Sequence, residues 1–309
     1  MDTVVISGAD GFIGSNLIKC LLHDHINVWA IIIPNSPLRH RIEGLPGVHI
    51  VECPLEQLHE HRDAFPLHAD AFYHLAWQGV SPEDRNDLEL QVGNISLSMA
   101  CVQFAASLGV DCFILPGSTT EYMYNLAPIN QDAVPSVSNA YGAAKLAVRF
   151  LCEQQAAQVG VGFIYAVVTS IYSAMRKDKN VIFYAIDELL EGRKPSLSSL
   201  QQEWNFIHID DLCRAFLLIG DKGKPGRFYA VGGGENQPLY QFIYQIRDLI
   251  NPSLPLGIGE VKSDLQRMTG SRIDLTALQK DTGFAPRISF SDGIRHVIKQ
   301  VQADKRISE

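Results

Sequence analysis

No two of the chain's six cysteines, at 20, 53, 101, 112, 152 and 213, form a C-x-x-C pair. That scatter excludes a zinc ribbon or redox dithiol and suits a reducing compartment. Nor do the ten histidines offer an H-E-x-x-H or comparable spacing, so no catalytic metal is expected. The longest apolar run, Val28 to Ile33, is far too short to span a bilayer. The opening residues MDTVVISG have neither the basic nor the long apolar region of a secretory leader. The expected location is therefore cytoplasmic, with no membrane partner. Positive charge is in deficit, since 26 Lys and Arg face 34 Asp and Glu for a formal net charge of -8. The charge is spread without a block of either sign, and no nucleic-acid partner is expected.

What is present is a globular composition. The 309 residues are 46% hydrophobic and 19% charged, enough apolar material for one large core or two smaller ones. The first half alternates short β-rich runs with helical stretches. Val4 to Ser7, Val28 to Ile33, His49 to Cys53, Ala71 to Leu75, Cys112 to Leu115 and Gly162 to Val168 read as strands. Helices are expected from about Phe12 to Leu22, from Leu88 to Leu108 and around Tyr141. Apolar strands separated by helices predict a parallel sheet covered on both faces, an α/β doubly wound (Rossmann) fold. After about residue 170 the pattern loosens. A helix is expected at Val181 to Leu190, ended by Gly192 and Pro195, and Asn205 to Ile209 and Arg227 to Val231 read as strands that return to the first sheet. Residues 235 to 309 carry more loops. The expected division is a dinucleotide-binding domain, 1–171 plus about 205–233, and a smaller, discontinuous C-terminal substrate lobe, about 172–204 plus 234–309.

The segment VVISGADGFIGSNLI sets Gly8, Gly11 and Gly14 between the first strand and the first helix. One glycine makes a tight turn, one lets the backbone approach a pyrophosphate, and one lets helix and strand pack closely. Phe12 and Ile13 lie in the same turn, where the helix N-terminus offers N–H groups and its positive dipole end to phosphate. Asp10 is expected to be the helix N-cap. An acid ending the second strand would bind the 2′-hydroxyl of NAD. Here the strand runs out as AIIIPNSPLRHR, with Asn35, Ser36, Arg39 and Arg41 in place of an acid. Arginines and a hydroxyl suit a 2′-phosphate, so NADP is the expected cofactor, with NAD as the alternative.

Tyr141 and Lys145, in SNAYGAAKLAVRF, stand one helical turn apart. Together with the glycine turn they resemble the extended short-chain dehydrogenase/reductase superfamily, and within it the nucleotide-sugar epimerase/dehydratase branch. The resemblance covers nearly the whole chain. FYHLAWQG (72–79) resembles the fourth-strand segment that lines the cofactor, with Leu75, Ala76 and Trp77, and Asn94 matches the family's helix asparagine. LPGSTTEY (115–122) resembles the strand end that supplies an active-site hydroxyl, here Ser118. NFIHIDDL (205–212) and DTGFAPRISFSDGI (281–294) resemble the branch's later signatures.

The resemblance implies catalytic roles for Ser118, Tyr141 and Lys145. The ammonium would lower the phenol's pKa from about 10 toward neutrality, and Tyr141 would move a proton at a sugar hydroxyl or ketone. Lys145 would also hold the nicotinamide ribose. Leu55 and Val168 are further expected cofactor contacts, and Thr119, Thr120, Ser170, Asn180 and Arg272 expected substrate contacts. Glu121 would line the pocket beside them. Arg176, Lys177 and Lys179 are candidates for a diphosphate, Trp204 for stacking or inter-lobe packing, and His208 for a packed strand residue. Three departures stand out. Pro54 replaces an aspartate that often contacts the adenine. Ser118-Thr119-Thr120 replaces the T-D-E of the 4,6-dehydratases, which removes the proton carriers for water elimination. VVTSIYSA (167–174) replaces the loop's usual arginine, asparagine and glycine. The expected function is thus an NAD(P)-dependent epimerase or 4-ketoreductase of a nucleotide-linked sugar, acting as a homodimer. A non-catalytic NAD(P)-binding sensor and a reductase of a non-sugar ketone or aldehyde are the alternatives.

Overall fold

The structure is a computed structural model that describes residues 1–125, 127–175, 180–262 and 272–308. Arg176, Lys177 and Lys179 lie outside the described residues. In chain order the strands are Thr3–Ser7 (β1), Asn27–Ile32 (β2), Val48–Glu52 (β3), Ala71–His74 (β4), Cys112–Ser118 (β5), Gly162–Val168 (β6), Ser170–Tyr172 (β7), Ser196–Leu197 (β8), Glu203–His208 (β9), Phe228–Val231 (β10), Asn236–Pro238 (β11) and Gly257–Ile258 (β12). The α-helices are Phe12–His23 (α1), Leu88–Ser107 (α2), Ala140–Val159 (α3), Val181–Leu190 (α4), Ile209–Lys222 (α5), Leu239–Ile250 (α6), Thr276–Thr282 (α7) and Phe290–Ser308 (α8).

Seven strands form one sheet in the order β10-β6-β5-β4-β1-β2-β3, and every pairing in it is parallel. This is the expected doubly wound fold. Alternation along each strand feeds both faces. Val4 and Ile6 join one core with Leu17, Ile18 and Leu21 of α1 and Phe216 and Ile219 of α5. Val5 points the other way, toward Val102 and Phe104 of α2 and Val148 and Cys152 of α3. Each such fully buried side chain contributes about 1.5–3 kcal/mol, so both faces are strongly specified. A third core gathers Ile182 and Ile186 of α4, Phe242 and Ile246 of α6, and Phe290 and Ile294 of α8.

Three expectations are corrected. β5 runs through Pro116 and Gly117 to Ser118, three residues beyond the sequence reading. A proline is tolerated there because β4 pairs with β5 only as far as Ile114, so the missing N–H costs no ladder bond on that side. β9 does not return to the large sheet. It pairs with β7 and β11 in a separate three-stranded sheet, and only β10 joins the large one, beside β6. Finally, residues beyond 235 include the long helices α6 and α8. Among the described residues, no helix is long and apolar enough to cross a membrane.

Candidate active site

The strand order reverses beside β1, and the crevice above the C-terminal strand ends at such a switch point is where this topology binds ligands. The glycine turn sits there. Gly8 turns the chain at φ +68°, and a Cβ on it would lie 2.7 Å from the Cα of Ala76, just past β4. A Cβ on Gly14 would lie 2.5 Å from the Gly8 carbonyl, so α1 packs against the turn as only glycine allows. Gly11, not Asp10, is the N-cap of α1, and no side chain caps that helix start. The Gly11 N–H closes the turn on the Gly8 carbonyl at 3.1 Å, which delays the helix by one residue. Asp10 is buried, and its Oδ2 has no hydrogen-bond partner among the described residues. An uncapped helix start above a backbone-only cradle fits a dinucleotide pyrophosphate.

Tyr141 and Lys145 lie on the first turns of α3, whose N-cap Asn139 accepts the Gly142 N–H at 2.9 Å. Gly142 brings this helix onto the end of β5, since a Cβ there would stand 2.9 Å from the Thr120 carbonyl. Lys145 is buried, donates to the Pro116 carbonyl at 3.2 Å, and places Nζ 3.6 Å from the centre of the Trp77 ring. The Tyr141 ring stands edge-on to Trp77 at 5.9 Å, and Nζ is 5.9 Å from the Tyr141 ring centre. The Trp77 indole is itself held by Gln91 Oε1 at 3.0 Å. Ser118 ends β5, and its Oγ accepts both the N–H and the hydroxyl of Thr120, at 3.3 and 3.0 Å. With two bonds accepted, the Ser118 hydrogen is available for donation.

Beneath this cluster lies a buried polar layer. Glu121 is fully buried; its Oε1 accepts the Ser118 N–H at 2.6 Å and the Tyr165 hydroxyl at 2.8 Å, while Oε2 has no hydrogen-bond partner among the described residues. Burial pushes its pKa up, and burial likewise pulls the Lys145 pKa down, with Glu121 the largest opposing influence. Glu121 was expected to line the pocket; instead it turns inward and braces the strand end. His74 on β4 is also enclosed, and burial lowers its pKa to about 3. Ser98 spends its hydrogen on the Asn94 carbonyl at 2.7 Å. It must therefore accept from His74 Nε2 at 2.9 Å, which leaves Nδ1 to accept from Ser7 at 2.7 Å. A neutral imidazole thus ties the first strand to α2.

The remaining expected contacts fall in several places. Leu75 donates its N–H to the Ser7 carbonyl at 3.0 Å, beside the glycine turn. Asn94 is buried with both amide hydrogens on the carbonyls of Gln78 and Leu90, and it accepts the Gln78 N–H at 2.9 Å. It clamps the loop after β4. Leu55, half-buried, follows Pro54 at the start of a 3₁₀ turn and packs on the α2 side of the sheet. Val168 closes β6 and is buried. Thr119 is buried. Ser170 accepts the Trp204 Nε1–H at 3.0 Å, so these two positions are linked. Asn180 caps α4 by accepting from Ile182 and Phe183. His208 ends β9 and accepts the Asp210 N–H at 3.3 Å as the cap of α5. Arg272 is exposed, and its carbonyl accepts from Ile129 at 2.8 Å.

Beyond β2, Ser36 Oγ accepts the Leu38 N–H at 3.2 Å. Arg39 pairs with Glu43 at 3.0 Å and also with Glu52, and Arg41 donates to the Asp10 carbonyl at 3.3 Å. Glu52 is the residue the sequence reading missed. Its only signal is the register that places it opposite Ile32, at the end of β2. Among the described residues no group of His, Cys, Asp and Glu is arranged to hold a metal.

Residues 4–232 match the model of the NAD dependent epimerase/dehydratase family. The chain is 24% identical to GDP-6-deoxy-D-mannose reductase of Pseudomonas aeruginosa, over 97% of each chain. It is 22% identical to dTDP-glucose 4,6-dehydratase of Haemophilus influenzae, again over 97% of each. In fold it resembles UDP-glucuronic acid 4-epimerase of Bacillus cereus, solved with UDP-glucuronic acid and NAD, at a TM-score of 0.83 and 20% identity over 97% of this chain and 99% of that one.

Proposed function

The chain belongs to the NAD dependent epimerase/dehydratase family, and from that premise we propose that it reduces a keto group on a nucleotide-linked sugar, as a 4-ketoreductase. The observation that carries the reading is the convergence of Tyr141, Lys145 and the end of β5 on Trp77, beside the glycine turn. Bound nicotinamide supplies or receives the hydride. Tyr141 gives its proton to the sugar oxygen as the carbonyl carbon is reduced, and takes it back in the reverse direction. Ser118 donates its free hydrogen to the same oxygen. Lys145, held by a carbonyl and an aromatic face, favours the phenolate that Tyr141 becomes. Each such proton-handling group is typically worth about 10²–10⁴-fold.

Water elimination is not supported. The one carboxylate in the 118–122 run belongs to Glu121, which is fully buried and already bonded to Ser118 and Tyr165. Reduction is supported by the reductase relative aligned over nearly the full length of both chains. Epimerisation is the second reading, because the same three groups serve oxidation and re-reduction at one carbon. The expectation of NADP rests on Arg39, Arg41 and the Ser36 hydroxyl where an acid would end the second strand, yet both arginines are engaged within the protein.

The test is a panel of CDP-, GDP-, UDP- and dTDP-linked sugars, each supplied as the 4-keto sugar with reduced nicotinamide, followed by loss of its absorbance, and as the 4-hydroxy sugar alone, followed by interconversion. Stoichiometric consumption with one of them supports the reductase. Interconversion of a sugar pair by protein purified with tightly held cofactor, without net consumption, supports the epimerase. Turnover of none of them overturns both.

A further inference from the structure

The region beyond the ends of β2 and β3 carries a charge arrangement that the strand sequences do not show. β2 ends without an acid, but β3 ends in Glu52, which the register sets beside Ile32. The chain then passes through Asn35 in the left-handed region, φ +56°. This turns the Asn35 N–H onto Glu52 Oε2 at 3.1 Å. The other carboxylate oxygen of Glu52 holds the Arg39 guanidinium, whose Nε also donates to Glu43 Oε1 at 3.0 Å. One cation thus serves two carboxylates, and the group keeps a net negative charge. Glu52 is about two-thirds covered, with 33% of its side chain open to solvent. Arg41, in the same loop as Arg39, donates instead to the Asp10 carbonyl of the glycine turn at 3.3 Å.

In a doubly wound sheet the adenosine ribose is read at the end of the second strand. We propose that Glu52, reaching that place from the third strand, accepts the ribose hydroxyl and selects NAD(H) against NADP(H), with Arg39 as the residue that holds its carboxylate in position. This rests on the dinucleotide-enzyme reading above. The physical ground is charge. A ribose hydroxyl is a donor and meets an ionised acceptor, a strong hydrogen bond. A 2′-phosphate carries about two negative charges. It would meet Glu52 and Glu43 and find Arg39, the cation paired with them, already committed, and Arg41 bonded to the Asp10 carbonyl. It binds only after displacing Glu52 from Arg39, at the cost of leaving a carboxylate without its partners.

The test is calorimetric binding of NADH and of NADPH to the full chain freed of nucleotide, with no substrate present. The wild type should bind NADH at least tenfold more tightly than NADPH. Glu52→Gln keeps the shape, removes the charge, and should shrink that ratio several-fold, through weaker NADH and stronger NADPH binding. Arg39→Ala should weaken NADH binding without improving the ratio in favour of NADH. Thermal melting of each variant accompanies the titrations and shows that it is folded. Equal or tighter binding of NADPH by the wild type overturns the proposal, as does an unchanged ratio in Glu52→Gln. A loss in Arg39→Ala that falls on NADPH alone also overturns it, since Arg39 would then be a phosphate ligand. Binding of neither dinucleotide overturns the reading beneath it and the proposal with it.

Discussion

Replacing Trp77 should change the pH at which the enzyme works. The Lys145 ammonium lies 3.6 Å from the centre of the indole ring and donates to the Pro116 carbonyl at 3.2 Å. A desolvated cation–π contact of this kind is worth about 2 kcal/mol. At about 1.4 kcal/mol per pK unit, its loss is worth about 1.5 units. Burial already holds the Lys145 pKa below the ordinary lysine value, with Glu121 opposing it. Removing the ring lowers that pKa further, because the ring favours only the charged form. In Trp77→Leu the ammonium is therefore lost at lower pH, and the alkaline limb of kcat/KM should move down by about 1 to 1.5 units. Above that limb the variant should be slower by about tenfold or more, and well below it nearly normal. Trp77→Phe keeps a ring face and should move the limb by less than half as much. It also lacks the N–H that binds Gln91, so it separates the two contributions. Profiles that superimpose for wild type and Trp77→Leu would refute the reasoning. Equal shifts in the two variants would assign the effect to the Gln91 bond and refute it as well.

Gly142→Ala should bring a Cβ to 2.9 Å from the Thr120 carbonyl. The helical gain of about 1 kcal/mol is offset by overpacking of about 1–3 kcal/mol. Turnover should fall more than thermal stability, because α3 is pushed off the strand end that carries Ser118; unchanged kcat would contradict this. His74 predicts an acid-sensitive fold. Its folded pKa, about 3, lies below the ordinary 6.5. The stabilisation that this shift represents is complete above about pH 6.5 and is lost as pH falls toward 3, by as much as about 4 to 5 kcal/mol. Denaturant titrations should show a shallower fall across that window in His74→Phe than in wild type. Parallel curves would mean that His74 takes up its proton at an ordinary pH.

The sheet was legible because each of its strands is a short apolar run whose alternate residues feed two cores, and α4 because Gly192 and Pro195 follow its apolar run, whereas its cap, Asn180, reads in the sequence as a substrate contact. Local signals failed where a neighbour decides. Pro116 reads as a strand end, yet the ladder on its β4 side stops two residues earlier at Ile114. Asp10 reads as a cap, but a backbone bond from Gly11 to Gly8 moves the helix start past it. β9 has the alternation of a strand, and nothing in its own residues says which sheet will accept it. Of the site, the Tyr141–Lys145 spacing and the glycine turn were visible because both are local. The Trp77 face over Lys145, the inward turn of Glu121 and the arrival of Glu52 beside β2 were not. Each is made by segments far apart in the chain and brought together by strand register or helix packing.

The central claim is that the Tyr141 hydroxyl carries the proton while other groups hold the dinucleotide. Tyr141→Phe tests it most directly, by calorimetric binding of the reduced dinucleotide and turnover of the keto sugar measured on the same preparation. The account predicts a dissociation constant within a few-fold of wild type and a kcat lower by about 10²–10⁴-fold. A kcat near that of the wild type, with binding intact, would contradict it.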